Sequence, residues 1–405
     1  MHVNGARTRA GHKTLTACGD GTSRYLPSEG LATPRTISAM DSALQLIVDR
    51  IRAASAARQP LRIRGGGTKD FYGEPGASAE VLSTAPLTGI VSYEPSELVV
   101  TARAGTPLAE LEAALAAQGQ CLPFEPPHMG SGATVGGMVA AGLSGPARAS
   151  VGAVRDYVLG VTMVNGRGEV LVFGGQVMKN VAGYDVSRLM AGSLGTLGLI
   201  AQVSLKVLPV APAEATLRFE MTQLESLNRL NAWGGQPLPL NASAWVEDAG
   251  VPTLYLRLRG AVAAVEAACR KLGGERQPEA AADWTHSREL RLPWFNERAG
   301  RDLWRLSVPQ TAPALDLPDT PYVEWHGGQR WVRAEAAAGA ALREAARAVG
   351  GSATRFIAGS DTDAAAGRIG RFDALTAPLD RIHRELKREF DPAGIFNPGR
   401  LYPDF

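Results

Sequence analysis

Arg64-Gly65-Gly66-Gly67-Thr68-Lys69 is the stretch that decides the fold, because two further glycine runs follow it. The second is Gly130-Ser131-Gly132-Ala133-Thr134-Val135-Gly136-Gly137, and the third is Gly192-Ser193-Leu194-Gly195-Thr196-Leu197-Gly198. Glycine lets the backbone approach a ligand closely and adopt positive φ without steric cost. Consecutive backbone N–H groups in such loops form concave nests that hold anionic oxygens. Three such runs predict a ligand with a diphosphate and a long body, which indicates a dinucleotide.

Neither the Rossmann fingerprint nor the P-loop describes these runs well. In the middle run three residues, rather than two, precede the next glycine pair, and the run follows the segment 123–127, which is too rich in proline for a strand. The loop that ends at Lys69 lacks the four-residue gap and the Gly-Lys pair of a P-loop. A different dinucleotide-binding fold is therefore expected.

The same runs resemble the FAD-binding domain of the vanillyl-alcohol-oxidase and para-cresol-methylhydroxylase family. The similarity includes the segment from Lys179 to Ile200, and it follows the family's order and spacing over most of residues 40–210. The closing segment Asp391–Arg400 is similar to that of the family's 2-hydroxy-acid dehydrogenases. Within the family, the resemblance is closest to the small FAD-binding subunits of bacterial glycolate oxidases.

The resemblance implies an α+β fold with two main parts. One is a two-part FAD-binding domain of the para-cresol-methylhydroxylase type, predicted over residues 40–211. The other is an α+β cap domain with an antiparallel sheet, predicted over residues 212–390. Prolines and a change of pattern after Ala211 mark the boundary between them. Residues 391–405 are expected to form a C-terminal segment that returns to the flavin.

The first 39 residues differ in composition from the rest of the chain. They are rich in Gly, Thr, Ser and Arg, lack aliphatic periodicity, and lack the apolar core of a signal peptide. We expect residues 1–39 to be a disordered or misassigned extension, with Met40 as the real start. An Arg-rich transit peptide is the alternative.

Composition excludes several functional classes. Lys and Arg total 42 against 40 acidic residues, so no charge excess favours nucleic acid or an anionic membrane. Cys18, Cys121 and Cys269 are far apart and form no C-x-x-C pair, which argues against zinc, an iron–sulfur cluster or a disulfide framework. No stretch reaches the roughly 18 apolar residues of a membrane span. A cytoplasmic location is predicted, with peripheral attachment to the inner membrane through a complex as an option.

Local patterns predict the elements that hold the glycine runs. Leu44, Ile47, Val48 and Ile51 share one face of a first helix. Thr106-Pro107 is predicted to cap and open a second helix. The remaining patterns predict a helix from Thr134, a hairpin over 157–173, strands at 216–221, 242–247 and 253–259, and helices at 223–233 and 262–272. Farther along, they predict irregular chain over 275–320 apart from a strand at 303–308, a helix over 334–349 and a last helix over 375–390.

The resemblance assigns a role to each glycine run. Arg64, Gly65, Gly66, Gly67, Thr68 and Lys69 are expected to wrap the pyrophosphate. The second phosphate wall is expected to comprise Gly130, Ser131, Thr134, Gly136 and Gly137, although Thr134 fits a helix cap equally well. The adenosine end is expected to be lined by Gly192, Ser193, Gly195, Thr196, Gly198 and Ile200. Asn397 is expected to return to the flavin ring.

Covalent flavin attachment is not expected. Several members of the family attach the flavin through a histidine in the first loop, whereas no histidine occurs between Leu61 and Gly119. The cofactor predicted from the resemblance is therefore noncovalent FAD.

The usual machinery for oxidising 2-hydroxy acids is missing from the sequence. Related enzymes carry a His-Gly-Asp-Gly-Asn-x-His run and a Gly-Glu-His-Gly run, which hold a metal ion and the substrate. Here all six histidines are isolated, and the segment after His326 only superficially resembles the first run. No metal site is predicted, and the catalytic residues are left open. Four tryptophans, Trp294, Trp304, Trp325 and Trp331, are expected in the core or at a subunit interface.

Three functions are compatible with the sequence. The leading hypothesis, implied by the resemblance, is an accessory FAD subunit that works with a larger FAD-binding glycolate oxidase subunit and an iron–sulfur subunit. The alternative is a free-standing FAD-dependent 2-hydroxy-acid dehydrogenase of the D-lactate type, using His326, Arg330 or Arg371. A third option is an assembly protein with a vestigial flavin pocket, against which the intact glycine runs argue.

Overall fold

A computed structural model describes residues 42–76, 78–175, 185–359 and 369–405. The predicted N-terminal extension (1–39) and the part of the third motif from Lys179 to Tyr184 lie outside these residues.

The described chain contains two main sheets, which divide it into a first half (β1–β9) and a second half (β10–β17). The strands of the first half are β1 (Leu61–Arg64), β2 (Glu80–Ser83), β3 (Ile90–Glu94), β4 (Val99–Arg103), β5 (Gln120–Cys121), β6 (Val158–Val164), β7 (Val170–Gly174), β8 (Leu199–Lys206) and β9 (Leu208–Pro209). Those of the second half are β10 (Ala213–Glu220), β11 (Leu240–Asp248), β12 (Val251–Gly260), β13 (Glu275–Arg276), β14 (Asp302–Ser307), β15 (Tyr322–Glu324), β16 (Gln329–Ala334) and β17 (Ser352–Ile357).

The helices connect and cover these strands. They are α1 (Ser42–Ala57), α2 (Leu108–Ala116), α3 (Val135–Ala141), α4 (Arg148–Val151), α5 (Val154–Tyr157), α6 (Val186–Leu189), α7 (Gln223–Gly234), α8 (Val262–Leu272), α9 (Ala281–Arg288), α10 (Pro293–Asn296), α11 (Gly339–Ala348) and α12 (Leu379–Phe390).

The first half is built on a five-stranded antiparallel sheet in the order β3-β4-β8-β6-β7, beside a parallel β1–β2 pair. The predicted stripe of α2, Leu108, Leu111 and Leu115, is completely buried in the core. Its spacing places these side chains on one helical face, and their burial removes apolar surface from water. Of the two roles predicted for Thr134, the helix cap is confirmed. Its hydroxyl accepts a hydrogen bond from the amide of Gly137 at 3.2 Å at the start of α3.

The second half is an eight-stranded antiparallel sheet in the order β13-β10-β12-β11-β15-β16-β14-β17. Period-two alternation sends neighbouring residues to opposite faces. Trp304 therefore packs with α11, while the adjacent Leu303 joins a cluster that also contains Tyr72 and Leu143 of the first half. One face of this sheet therefore packs against the first half, and the other face is covered by α11.

Several local predictions were wrong. Thr106 does not cap α2; its hydroxyl accepts from the amide of Gly89 at 3.0 Å and donates to the Gly89 carbonyl at 3.1 Å. The alanine-rich helix starts at Gly339 because Ala334 still pairs with Asp302 in the sheet. The segment 275–320, predicted as irregular around one strand, also contains α9 and α10. Strand β17 was not predicted, and α12 starts at Leu379.

The last helix and the closing segment return to the first half. Leu386 and Phe390 of α12 pack against its core, and the Phe390 carbonyl accepts from the amide of Gly166 at 2.8 Å. Phe396 forms a parallel bridge with Leu61 of β1. The domain boundaries at 211 and 390 remain predictions, although these contacts place α12 with the first half. The four tryptophans are all buried, as predicted for core residues.

Candidate functional site

The first two glycine runs are in direct backbone contact. A side chain on Gly66 would overlap the carbonyl oxygen of Gly132, and one on Gly65 would overlap the Thr134 hydroxyl. Gly130 lies against the methyl group of Thr68. Glycine is required at these points by close approach, and the contact joins the turn after β1 to the segment before α3.

The first run turns sharply after β1. Gly67 has φ of 74°, and its carbonyl accepts from the amide of Asp70 at 3.1 Å. The Arg64 guanidinium folds over Gly67 and lies 2.8 Å from the Asp70 carboxylate. Arg62, two residues earlier on β1, lies 3.0 Å from the same carboxylate. One carboxylate is therefore shared by two arginines, which leaves excess positive charge beside the glycine backbone.

The second run reaches the same region through α3. Gly136 and Gly137 line the cleft, and the Gly136 amide donates to the Ala104 carbonyl at 2.8 Å. Thr134 also lines the cleft while its hydroxyl caps the helix, so both of its predicted positions are compatible. Gly130 lies against Thr68 at the edge of this run and Ser131 is exposed, and neither residue lines the cleft.

The third run is held against α3. The amide of Gly192 donates to the Val139 carbonyl at 3.0 Å, and the hydroxyl of Thr196 donates to the Ser193 carbonyl at 2.7 Å. Gly198 and Ile200 line the cleft, as does Gly195, whose φ is 73°. Ser193 and Thr196 are buried behind it. The Ser193 hydroxyl has no hydrogen-bond partner among the described residues.

Asn397 ties two walls of the cleft together. Its Oδ1 accepts from the amide of Ile63 at 2.7 Å, and its Nδ2 donates to the Leu194 carbonyl at 2.6 Å. Its backbone amide also donates to the Leu61 carbonyl at 2.9 Å. The side chain therefore links β1 to the third run, and its contact with a flavin ring remains a prediction.

A buried ion pair fixes the closing segment beneath these walls. Lys387 Nζ lies 2.7 Å from the Asp391 carboxylate and donates to the carbonyls of Thr196 and Phe396, each at 2.8 Å. Asp391 in turn accepts from the amides of Ile395 and Phe396 at 3.1 and 2.8 Å. Sequence reasoning missed this pair, although an i,i+4 Lys–Asp spacing before the closing segment was visible.

All three runs border one cleft that opens to solvent. Its charged lining consists of Arg62, Arg64, Lys69, Arg400 and Asp70. Sequence reasoning missed Arg62 and Arg400. Arg62 could have been found from alternation, because it shares a strand face with Arg64. Four cations against one carboxylate, beside glycine backbone, are the donor set that a diphosphate requires. The residues present therefore fit an FAD diphosphate.

Lys69 has an unusual electrostatic environment. Its Nζ donates to the His128 carbonyl at 3.1 Å. Burial lowers the pKa of Lys69 to about 8, against an opposing effect from the nearby Glu289 carboxylate. The fold thus brings a histidine, His128, beside the first run through tertiary contact. The Nε2 atom of His128 is paired with a Glu112 oxygen at 2.8 Å. Noncovalent attachment remains a prediction.

Two of the three residues suggested for a free-standing dehydrogenase, His326 and Arg330, are held in structural contacts. The ring nitrogens of His326 lie 3.1 and 3.0 Å from the hydroxyls of Ser243 and Ser150. Burial lowers the pKa of His326 to about 4, so the ring is neutral at pH 7. The Arg330 guanidinium donates to the carbonyls of Ala312 and Pro313 at 2.8 and 2.5 Å.

The described residues contain no group of three or more His, Cys, Asp and Glu side chains arranged to hold a metal ion. Among the helices of the described ranges, none combines the length and apolarity needed to cross a membrane.

Comparisons with known proteins agree with this geometry. Residues 42–174 match the family model described as FAD binding domain, so the first half belongs to the class of FAD-binding oxidoreductases. Glycolate oxidase subunit GlcE of Escherichia coli (strain K12) is 44% identical over 360 residues, covering 89% of this chain and 97% of that protein. The chain therefore belongs to the family of the glycolate oxidase subunit GlcE.

Other relatives match a smaller part of the chain. Glycolate oxidase subunit GlcD of Bacillus subtilis (strain 168) is 32% identical over 40% of this chain and 35% of its own length. D-lactate dehydrogenase of Archaeoglobus fulgidus is 35% identical over 39% of this chain and 35% of its own length. A solved structure of alkyldihydroxyacetonephosphate synthase shares the fold, with a TM-score of 0.60 at 16% identity over 87% of this chain and 74% of that chain.

The comparisons confirm the family, the α+β FAD-binding fold and FAD as the cofactor of the family. The roles of individual residues in the cleft remain predictions.

Proposed function

We propose that this chain is the FAD-binding small subunit of a glycolate oxidase complex, which oxidises glycolate to glyoxylate together with a larger FAD-binding subunit and an iron–sulfur subunit. The observation that carries the proposal is 44% identity to GlcE over 97% of that protein, because a match of this extent includes both halves of the fold. The much shorter match to GlcD argues against a duplicate of the large subunit.

The cleft residues supply binding and charge neutralisation. In this proposal the backbone of Gly65, Gly66 and Gly67 holds the diphosphate, and Arg64 and Lys69 neutralise it. The third run and Ile200 enclose the adenosine end. Bound FAD supplies the capacity to accept a hydride or electrons, while the protein provides position and electrostatics.

Substrate chemistry is assigned mainly to the larger partner. A base for the hydroxyl proton needs a pKa near the working pH. His326 does not meet this condition, because its pKa is about 4 and both ring nitrogens are beside serine hydroxyls. Accordingly, the isolated flavin-loaded chain should oxidise glycolate and D-lactate slowly or not at all.

The function is tested by reconstitution. We expect the tagged chain to copurify with the larger FAD-binding and iron–sulfur subunits, and the assembled complex to reduce an artificial electron acceptor with glycolate. The controls are the chain alone and the two partners without it. Rapid glycolate or D-lactate oxidation by the chain alone would favour the free-standing dehydrogenase, and absence of FAD from the purified chain would favour the assembly protein.

A pH-dependent cofactor affinity should follow from Lys69. The apoprotein holds this amine at a pKa of about 8, and a neighbouring diphosphate favours its charged form. FAD binding above that pH therefore requires proton uptake. Affinity should be constant below about pH 8 and should fall above it, by at most about tenfold per pH unit.

The measurement is the dissociation constant of FAD for the apoprotein between about pH 7 and about pH 9.5. Lys69→Gln should bind FAD more weakly and lose the decline in this range. Lys271→Gln, at an exposed position on α8, is the matched control and should behave like the unmodified chain. An identical decline in Lys69→Gln would assign the effect to another group.

A further inference from the structure

Glu289 belongs to the second half of the fold, but its carboxylate binds backbone of the first half. It follows directly after α9 and is only 7% exposed. One of its oxygens accepts from the amide of His128 at 3.1 Å, and the other accepts from the amide of Met129 at 2.7 Å. Met129 has φ of 54°, a costly conformation for a side chain of this size. The two hydrogen bonds therefore stabilise this turn before the second glycine run.

The same turn positions Lys69 of the first glycine run. The Lys69 amine donates to the His128 carbonyl at 3.1 Å, and the amide of that residue is the one that Glu289 binds. Because both hydrogen bonds are on His128, the Glu289 carboxylate determines where the acceptor of Lys69 lies. Lys69 lines the cleft, whereas Glu289 does not. Glu289 is thus two hydrogen bonds away from the amine and outside the cofactor cleft.

Glu289 also supplies a charge that opposes the desolvation of Lys69. Burial lowers the pKa of Lys69 to about 8, and the Glu289 carboxylate acts in the opposite direction. Among the described residues, no carboxylate forms a direct ion pair with Lys69. Asp70, the carboxylate next to it in sequence, is shared by Arg62 and Arg64. Glu289 is therefore the acidic group that favours the charged form of Lys69.

The other charged groups around Lys69 are mostly basic. Arg288 Nε lies 2.9 Å from a Glu289 oxygen and reduces the effect of its charge. The His128 ring is paired with Glu112. The groups that share the cleft lining with Lys69 come from β1, the first run and the closing segment, and are Arg62, Arg64, Asp70 and Arg400. Without the Glu289 charge, the Lys69 ammonium would lie among cations with one shared carboxylate and would be less stable.

We propose that Glu289 is a positioning residue of the cofactor cleft, which orients Lys69 through the His128 carbonyl and keeps its amine protonated for the FAD diphosphate. The inference rests on the placement of the diphosphate at Lys69 in the proposed function. It adds to that function a residue of the second half, which contributes to cofactor affinity although it does not line the cleft.

The first test is the dissociation constant of FAD for the apoprotein between about pH 6 and about pH 9.5. Glu289→Gln removes the charge and lowers the pKa of Lys69, so its FAD affinity should begin to fall at a lower pH than that of the unmodified chain. Each unit of this shift weakens FAD by about tenfold at the alkaline end. Glu289→Asp keeps the charge and should retain the unmodified pH profile, with FAD weakened equally at every pH because the side chain is shorter.

Two further variants separate the charge of Glu289 from its structural contacts. Glu112→Gln is the matched control, because it removes another carboxylate that contacts His128 but leaves the His128 backbone alone, and it should not change the pH profile. Arg288→Gln removes the cation beside Glu289, so the decline should move to a higher pH. A purely structural role would weaken FAD equally at all pH values and could not produce shifts of opposite sign.

The second test follows the Lys69 amine itself by NMR. The chain has six lysines, and in the apoprotein with isotopically labelled lysine the Lys69→Gln variant identifies the signal of Lys69. Its titration midpoint should fall in Glu289→Gln and rise in Arg288→Gln. An unchanged midpoint in Glu289→Gln, or an equal fall in Glu112→Gln, would overturn the proposal.

Circular dichroism checks that each variant folds. If Glu289→Gln does not fold, Arg288→Gln decides the question, because a Lys69 midpoint that does not rise there would contradict the proposal. The NMR titration needs no FAD, turnover or partner subunit. A failure of this inference is therefore distinguishable from a failure of the proposed function, which is tested by reconstitution.

Discussion

A Gly66→Ala chain is expected to fold but to purify with little or no flavin. A methyl group at this position would overlap the backbone carbonyl of Gly132, and a backbone atom cannot rotate away as a flexible side chain can. The first two glycine runs must therefore separate. Overpacking of this kind costs roughly 1–3 kcal/mol, equivalent to about a five- to 150-fold loss of FAD affinity if the cost falls on the cleft.

A graded series tests this steric explanation. Gly132→Ala should have a smaller effect, because its methyl group would lie 3.3 Å from the Gly66 carbonyl. Gly234→Ala, where a methyl group would meet nothing within 4 Å, is the control and should retain full flavin. Gly66→Asp should be at least as damaging as Gly66→Ala, because it also places a negative charge beside the diphosphate.

The measurements are the flavin-to-protein absorbance ratio and the dissociation constant of FAD for each apoprotein. Circular dichroism provides the check on folding. Full flavin occupancy in folded Gly66→Ala would show that contact between the first two runs is not needed to form the cofactor cleft.

Asp391→Ala should be the most destabilising of these substitutions. It would leave the Lys387 ammonium buried without its counter-ion and remove the acceptor of the Ile395 and Phe396 amides. Breaking a buried ion pair by removing one partner costs about 3–5 kcal/mol. Because Lys387 also binds the carbonyls of Thr196 and Phe396, the closing segment and the third run should both loosen, with loss of FAD.

The matched control lies on the same helix with the same spacing. Arg381 and Glu385 form an i,i+4 pair at 3.7 Å with both side chains exposed. Glu385→Ala should therefore change the free energy of unfolding by no more than about 1 kcal/mol. Urea unfolding monitored by circular dichroism measures both variants. If Asp391→Ala costs no more than Glu385→Ala, the buried pair does not anchor the closing segment.

Much of the fold was predictable because its signals are local. The stripe of Leu108, Leu111 and Leu115 predicted the buried face of α2, and the spacing around Asn165 predicted the β6–β7 hairpin. The strand β17 escaped because its buried residues include Arg355, whose partner Asp302 is distant in sequence. Alanine-rich sequence likewise predicted too long a helix, since Ala334 is held in the sheet by pairing with Asp302.

By itself the sequence identified the three glycine runs and many of the helices and strands, because backbone freedom at glycine and helical or strand periodicity are encoded over a few neighbouring residues. The resemblance of those runs to a known family supplied the family and the FAD-binding class. Only the tertiary structure decided which groups meet. It brought Gly66 to Gly132, Lys387 to Thr196, and Glu289 to the amide of His128. Such contacts depend on how two sheets and a returning C-terminal segment pack, and that packing is set by the whole chain rather than by local sequence.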